Sequence, residues 1–168
     1  MNPDLILADE AVSALDVSLR VEMMDLMLEL QAEFDTSFLF ISHDLSNARY
    51  IAEHADGRLG VMYLGELVEL GPADEVLQNP QHPYTKVLKW ATPELGVDEG
   101  PTEPPVREID IPDPVNPPTG CRFHTRCPNA TEQCRQATPD VATVSDDGRH
   151  RVACYRSTDR KSTRLNSS

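Results

Sequence analysis

The sequence predicts an α/β protein, in which helices cover a parallel sheet and a small cysteine-rich appendage follows. Two short apolar runs, 5–8 and 38–41, read as buried strands, and each ends in polar side chains. A helical pattern lies between these runs, and another follows the second. The order strand, helix, strand, helix is typical of a parallel sheet that binds ligands at the carboxyl ends of its strands.

The first helix is predicted to pack through one face. Asp16 or Ser18 can cap its start, because a side-chain oxygen there accepts a hydrogen bond from a free backbone N–H group. Apolar residues then recur every three or four positions, and they are Met23, Met27, Leu30 and Phe34. A second helix can begin at Asp44 or Ser46 and run to about His54.

Two strands and two short helices come next. The strands are expected over 59–63 and 66–70, with Gly65 at the turn between them. The helices are expected over 72–78 and 83–90, since each range begins with a proline, which suits the first turn of a helix.

Composition divides the chain into four parts. Residues 1–72 form the α/β part, and residues 73–118 form a helical extension that becomes a proline-rich linker. Residues 119–156 form a module that holds every cysteine, and residues 157–168 are a tail, disordered or foreign to the gene.

Charge and hydropathy exclude two classes of protein. The formal net charge of −13 argues against a nucleic-acid partner, which would require clustered Lys and Arg. No apolar run approaches the roughly 20 residues that span a bilayer, and no basic signal segment opens the chain. We therefore expect a soluble protein inside the cell, where four cysteines indicate a metal site before disulfides.

Acidic and histidine side chains follow the two predicted strands. Asp9 and Glu10 end the first strand, and His43 stands at the end of the second. Adjacent acids at a strand end are most often a solvated helix start, and a lone histidine after a strand is most often structural. Their common position at strand ends is nevertheless the first physical indication of a site.

The residues around these positions sharpen that indication. The stretch 5–16 resembles the Walker B strand and D-loop of ATP-binding-cassette proteins, and 41–44 resembles their switch-histidine segment. The resemblance implies that Asp9 holds Mg²⁺ of bound ATP, that Glu10 is the general base, and that His43 contacts the γ-phosphate and Glu10. It also implies a D-loop at the interface of an ATPase dimer, formed by Ser13, Ala14, Leu15 and Asp16. Ala11 departs from the family, which commonly has proline there.

Several motifs of that family do not occur in the sequence. It contains no G-x-x-x-x-G-K-[S/T] phosphate loop, no Leu-Ser-Gly-Gly-Gln signature and no Q-loop glutamine ahead of the Walker B strand. We therefore expect the chain to be the C-terminal part of an ATPase subunit, to begin at an internal methionine, and to be inactive by itself.

The downstream sequence narrows the family. The stretches 62–71 and 79–85 resemble the region peculiar to oligopeptide, dipeptide and nickel importer ATPases, whose extension is named for its His-Pro-Tyr. We expect this triplet, His82, Pro83 and Tyr84, to form a helix-start turn rather than to carry chemistry.

The four cysteines are Cys121, Cys127, Cys134 and Cys154. Their surroundings resemble the cysteine-rich end of the same importer family, some members of which carry a [4Fe–4S] cluster. The resemblance implies such a cluster with the four thiolates as ligands, and structural zinc or free thiols remain alternatives. His124, His150 and Tyr155 are expected at the surface or behind the ligands.

The resemblance as a whole implies the energising subunit of a peptide importer. Such a subunit lies on the cytoplasmic face of the membrane, forms an ATP-sandwiching dimer with a like or homologous subunit, and drives a permease fed by an external peptide-binding protein. The alternative from another class is a non-enzymatic metal-binding regulatory module that retains an ATPase relic.

Overall fold

The structure is a computed structural model that describes residues 3–92 and 103–157. The chain divides into two compact units at Gly57 and Arg58. Composition instead predicts a boundary at residue 72, which leaves the two strands of 59–63 and 66–70 in the α/β part. Part of the predicted linker, 93–102, and nearly all of the predicted tail fall outside the described residues.

The first unit has the predicted alternation of strands and helices. It consists of β1 (Leu5–Asp9), α1 (Val17–Phe34), β2 (Ser37–Ile41) and α2 (Leu45–His54). The two strands pair in parallel, and Asp9 stands opposite Ile41 in their register. The strand ends that carry the candidate site therefore lie side by side.

The starts of both helices are confirmed, but the predicted buried face of α1 is wrong. Asp16 caps α1 and Asp44 caps α2 through their carboxylates. Met24 is the buried residue of α1. Phe34 is 49% exposed, and Met23 and Leu30 are exposed as well. Two strands and one further helix offer too little apolar surface within this unit to cover an 18-residue helix.

The second unit begins with a hairpin and two helices. Its elements are β3 (Arg58–Tyr63), β4 (Glu66–Pro72), α3 (Ala73–Gln78), α4 (Pro83–Trp90), α5 (Glu132–Gln136), β5 (Ala142–Thr143) and β6 (Arg151–Val152). Leu64 and Gly65 both have positive φ, 46° and 83°, which matches the two-residue turn that suits a twisted hairpin. The helix over 83–90 is confirmed, with His82 as its cap and Pro83 in its first turn.

The cysteine-rich segment is not a separate appendage. Its strand β6 pairs with β4, so that Val152 stands opposite Glu69, and the sheet has the order β3-β4-β6-β5. Its phenylalanine, Phe123, is 1% exposed and packs on Tyr63 and Tyr84 with ring centroids 5.1 and 5.5 Å away. The segment therefore shares both a sheet and a core with residues 58–90.

Candidate functional site

Glu10 and His43 meet where the two parallel strands end. The His43 Nδ1 atom lies 2.9 Å from Glu10 Oε2 and 3.0 Å from Oε1. The backbone N–H of His43 donates to Glu10 Oε1 at 2.9 Å. The carboxylate is thus held in a fixed direction by two groups of one residue from the neighbouring strand end.

The backbone around Glu10 adopts an unusual conformation that supports this arrangement. Glu10 has a φ of 48°, in the left-handed region that non-glycine residues seldom adopt. Its N–H continues the strand pairing by donating to the Ile41 carbonyl at 3.0 Å. Its own carbonyl accepts from the N–H and the hydroxyl of Ser13 at 3.1 and 2.8 Å. Such strain at a strand end is a common feature of functional sites.

The predicted D-loop follows as a series of turns into α1. Val12 anchors it by burial, at 1% exposure, while Ser13 and Ala14 are exposed. Arg20 joins this loop to the segment after His43, since it donates to the Leu15 carbonyl at 3.1 Å and lies 3.3 Å from Asp44 Oδ2. Sequence reasoning missed Arg20, because nothing in a single sequence marks an arginine on a helix as such a link.

The site is open to solvent on the side of the acids. The side chain of Glu10 is 37% exposed and that of His43 is 78% exposed, and Asp9 is exposed as well. A carboxylate oriented by a histidine can accept a proton from water, and a second exposed carboxylate can hold a hydrated Mg²⁺. The geometry is therefore suited to metal-dependent hydrolysis of a ligand whose other contacts come from residues outside this site.

The four cysteines line one pocket of the second unit. Three of them stand on the segment that carries α5, and Cys154 approaches from the end of β6. The His-Pro-Tyr segment supplies another wall through His82 and Pro83. All four thiols are free.

Burial dominates the chemistry of these thiols. It raises the pKa of the Cys121 thiol to about 11, and the charges of the neighbouring cysteines add to the rise. Burial also raises the pKa of the thiols of Cys127 and Cys154. At neutral pH these groups are therefore protonated, and ionising them together would require a bound cation.

The predicted metal centre is not formed by these side chains as they stand. Within 3–92 and 103–157, no group of three or more His, Cys, Asp or Glu side chains is arranged so that it could hold a metal ion. The expectation of four sulfurs poised around one centre is thus not supported by this structure. The four cysteines nevertheless line the same pocket.

Sequence reasoning also missed a buried pair next to that pocket. The His150 Nε2 atom lies 2.7 Å from Glu69 Oε1, and the two side chains are 3% and 0% exposed. His150 had been expected at the surface or behind metal ligands. The signal available in the sequence was Glu69 itself, an acid between the apolar residues Val68 and Leu70 of β4.

Within the described ranges, no helix has both the length and the apolar character needed to cross a bilayer.

Comparison with known proteins places the chain among ATP-binding-cassette proteins. The family described as the C-terminal region of oligopeptide/dipeptide transporters matches residues 68–134. The Di/tripeptide transport ATP-binding protein DppF of Pseudomonas aeruginosa is 43% identical over 156 residues, which are 92% of this chain and 46% of that protein. The Oligopeptide transport ATP-binding protein AppF of Bacillus subtilis is 46% identical over 157 residues, 92% of this chain and 46% of that protein.

A third relative is the Probable peptide ABC transporter ATP-binding protein y4tS of Sinorhizobium fredii. It is 46% identical over 155 residues, 92% of this chain and 42% of that protein. The chain belongs to the family of ATP-binding subunits of peptide ABC transporters, and it spans somewhat less than half the length of these curated relatives.

Proposed function

We propose that the chain supplies the hydrolytic half-site of a peptide-importer ATPase subunit. The observation that carries the proposal is the Glu10–His43 contact at adjacent parallel strand ends. The names of the relatives, which are ATP-binding proteins of di/tripeptide and oligopeptide transport, support peptides as the transported substrate class. The partners we propose are a second cassette ATPase, a membrane permease and, indirectly, a peptide-binding protein outside the membrane.

Each residue has a defined task in this proposal. Asp9 holds Mg²⁺ through water, and Glu10 accepts a proton from the attacking water. His43 orients Glu10 through its ring and its N–H and stands where it can contact the transferred phosphate. The D-loop carries the state of this site to the partner ATPase across the dimer. The complete subunit then works on the cytoplasmic face of the membrane.

The decisive experiment uses a complete subunit that contains this chain and its phosphate loop. Glu10→Gln keeps the shape of the side chain but removes the base, so ATP turnover should fall by about 10²- to 10⁴-fold while ATP still binds. His43→Ala should also reduce turnover strongly. Glu53→Gln, on the exposed face of α2, is the control and should leave turnover unchanged.

Near-normal turnover in Glu10→Gln would show that another group is the base. The 168-residue chain alone should not hydrolyse ATP, because its sequence contains no phosphate loop. Turnover by the isolated chain that vanished in Glu10→Gln would contradict this expectation.

A second proposal concerns the thiol pocket. We propose that Cys121, Cys127, Cys134 and Cys154 take up a metal, as a [4Fe–4S] cluster or as zinc, after a local closure of the pocket. A set of four thiols on one pocket fits either group, and a cation would offset the cost of ionising buried thiols. The bound cluster or zinc ion would link the segment that carries α5 to the end of β6. We therefore assign this metal a structural role.

Metal analysis of the anaerobically purified chain tests this proposal. A [4Fe–4S] cluster predicts about four irons per chain and a brown colour, and structural zinc predicts one colourless ion per chain. Replacement of Cys134 by Ser should abolish either. A chain that takes up neither iron nor zinc under reducing conditions would contradict the proposal.

A further inference from the structure

Glu69 is the charged side chain most deeply enclosed in the second unit. Its Oε1 atom accepts from the Gln81 N–H and faces His150 Nε2, both at 2.7 Å, and its Oε2 atom accepts from the His82 N–H at 2.9 Å. A carboxylate without such donors would be strongly unfavourable at zero exposure. These partners therefore have to be in place whenever Glu69 is inside.

The partners of Glu69 lie beside two different walls of the thiol pocket. Gln81 and His82 precede α4, and His82 and Pro83 line the pocket at this point. His150 directly precedes β6, whose following residue Ala153 donates to the Val68 carbonyl at 2.9 Å and leads into Cys154. One carboxylate thus holds the helix wall and the strand wall together.

The other three cysteines are fixed in a different way, by contacts within their own segment. The Cys121 N–H donates to the Cys134 carbonyl at 2.8 Å, and the Cys127 N–H donates to the Phe123 carbonyl at 2.9 Å. The hydroxyl of Thr131 lies 3.3 Å from the Cys134 sulfur. Cys154 alone reaches the pocket from a distant part of the sequence.

Two further features fit His150 to its place beside Glu69. A Cβ on Gly71 would stand 3.1 to 3.2 Å from atoms of His150, so glycine leaves the room that the imidazole occupies. On the opposite side, His150 Nδ1 lies 3.4 Å from Glu75 Oε2. Both ring nitrogens therefore face carboxylates, and the ring has one orientation that serves both.

We infer that Glu69 is the positioning residue of the thiol pocket, which brings Cys154 to the three cysteines of the α5 segment. The placement of Cys154 is inferred from these contacts alone. Only the purpose of that placement, which is metal binding, rests on the proposed function. It predicts that loss of the carboxylate releases Cys154 selectively.

Site-resolved alkylation of the reduced, metal-free chain tests the inference. Iodoacetamide labelling followed by mass spectrometry gives a rate for each cysteine. In Glu69→Gln, Cys154 should react roughly tenfold faster or more, because a charge-assisted hydrogen bond that restrains local opening is lost. The rates of Cys127 and Cys134 should stay near those of the unaltered chain. Glu66→Gln is the matched control on the same strand, since it removes a half-exposed ion pair with Arg122 and should leave Cys154 unchanged.

Two other variants keep the inference testable if Glu69→Gln unfolds the unit. Gly71→Ala displaces His150 by crowding. His150→Gln replaces the ring, whose two nitrogens face Glu69 and Glu75, by a single amide. Both should raise the rate at Cys154 alone while the circular dichroism spectrum is retained. An equal rise at all four cysteines, or an unchanged rate at Cys154, would overturn the inference.

Cobalt(II) added to the reduced chain separates this inference from the metal proposal. Both the inference and the metal proposal are supported by two results together. The unaltered chain gives the absorption spectrum of cobalt bound to four thiolates, and Glu69→Gln gives the spectrum of Cys154→Ser instead. Failure of the unaltered chain to bind cobalt counts against the metal proposal, while the alkylation rates still decide the role of Glu69.

Discussion

Among the described residues, Glu10–His43 and Glu69–His150 are two close carboxylate–histidine pairs that differ in almost everything except composition. Glu10 and His43 lie 2.9 Å apart with side chains 37% and 78% exposed, whereas Glu69 and His150 lie 2.7 Å apart with side chains 0% and 3% exposed. The exposed pair keeps lone pairs and solvent access for a ligand. The oxygens of the buried Glu69 are instead occupied by the His150 ring and by the backbone N–H groups of Gln81 and His82. Access to water, rather than residue type, distinguishes the pair that we propose as reactive from the buried pair.

Removal of the buried carboxylate should have the larger effect on folding. Glu69→Ala leaves His150 and two backbone N–H groups without their acceptor, so the free energy of unfolding of the second unit should fall by about 3–5 kcal/mol. Urea denaturation followed by tyrosine fluorescence of the metal-free chain measures this. A loss below about 1 kcal/mol would mean that the pair is not the structural element described above.

Acid should weaken the second unit. Burial lowers the pKa of His82 to about 4 from its ordinary 6.5, so the unfolded chain binds a proton between these values that the folded chain does not. Stability that is full above pH 6.5 should decline by roughly 3 kcal/mol as the pH falls to 4. Burial by itself raises the pKa of Glu69, but its hydrogen bonds, led by that of His150, lower it overall, so its contribution is present above the ordinary value of 4.5 and is lost as the pH falls below it.

The variant His82→Asn isolates this effect. Asparagine can accept the Tyr84 N–H at the helix start, as the His82 ring does at 3.1 Å, but it does not titrate. Unfolding measured at several pH values should lose its slope between pH 6.5 and 4 in this variant. An unchanged slope would assign the acid sensitivity to another group.

Removal of the exposed carboxylate should have the smallest effect on folding. Glu10→Ala breaks a solvent-accessible pair, and such pairs contribute at most about 1 kcal/mol. The unfolding midpoint of the first unit should therefore shift only slightly, although the same position is decisive for turnover in the proposed function. A loss as large as that of Glu69→Ala would remove the distinction between the two pairs.

The sequence allowed much of the first unit to be predicted, because its signals are local. Strand ends and helix caps depend on neighbouring residues, and Asp16 and Asp44 take the expected places. The hairpin turn of the second unit is equally local, and Gly65 lies in it as expected. The catalytic roles of Glu10 and His43 remain predictions, but their contact fits them. The buried face of α1 could not be predicted, because it depends on which surfaces surround the helix rather than on its periodicity.

The second unit was less predictable, because its contacts are long-range. Nothing near Glu69 in sequence announces His150, and the two-residue strand β6 is too short to give a periodic pattern. Composition therefore suggested a separate cysteine module where the structure has one sheet. The cysteines were correctly recognised as a group, but their spacing could not show whether their sulfurs meet.

The pairing of β4 with β6 also sets an order of events for a growing or refolding chain. Glu69 and His150 are 81 residues apart, so β4 has one neighbour, β3, until nearly the whole described chain is available. During that interval the free edge of β4 is exposed to water and Glu69 lacks its His150 partner, although Gln81 and His82 lie only 12 and 13 residues away. Closure of the sheet should accordingly be the late and slow step, as contacts between distant residues generally are. We therefore expect the hairpin and the start of α4 to form before β6 joins the sheet.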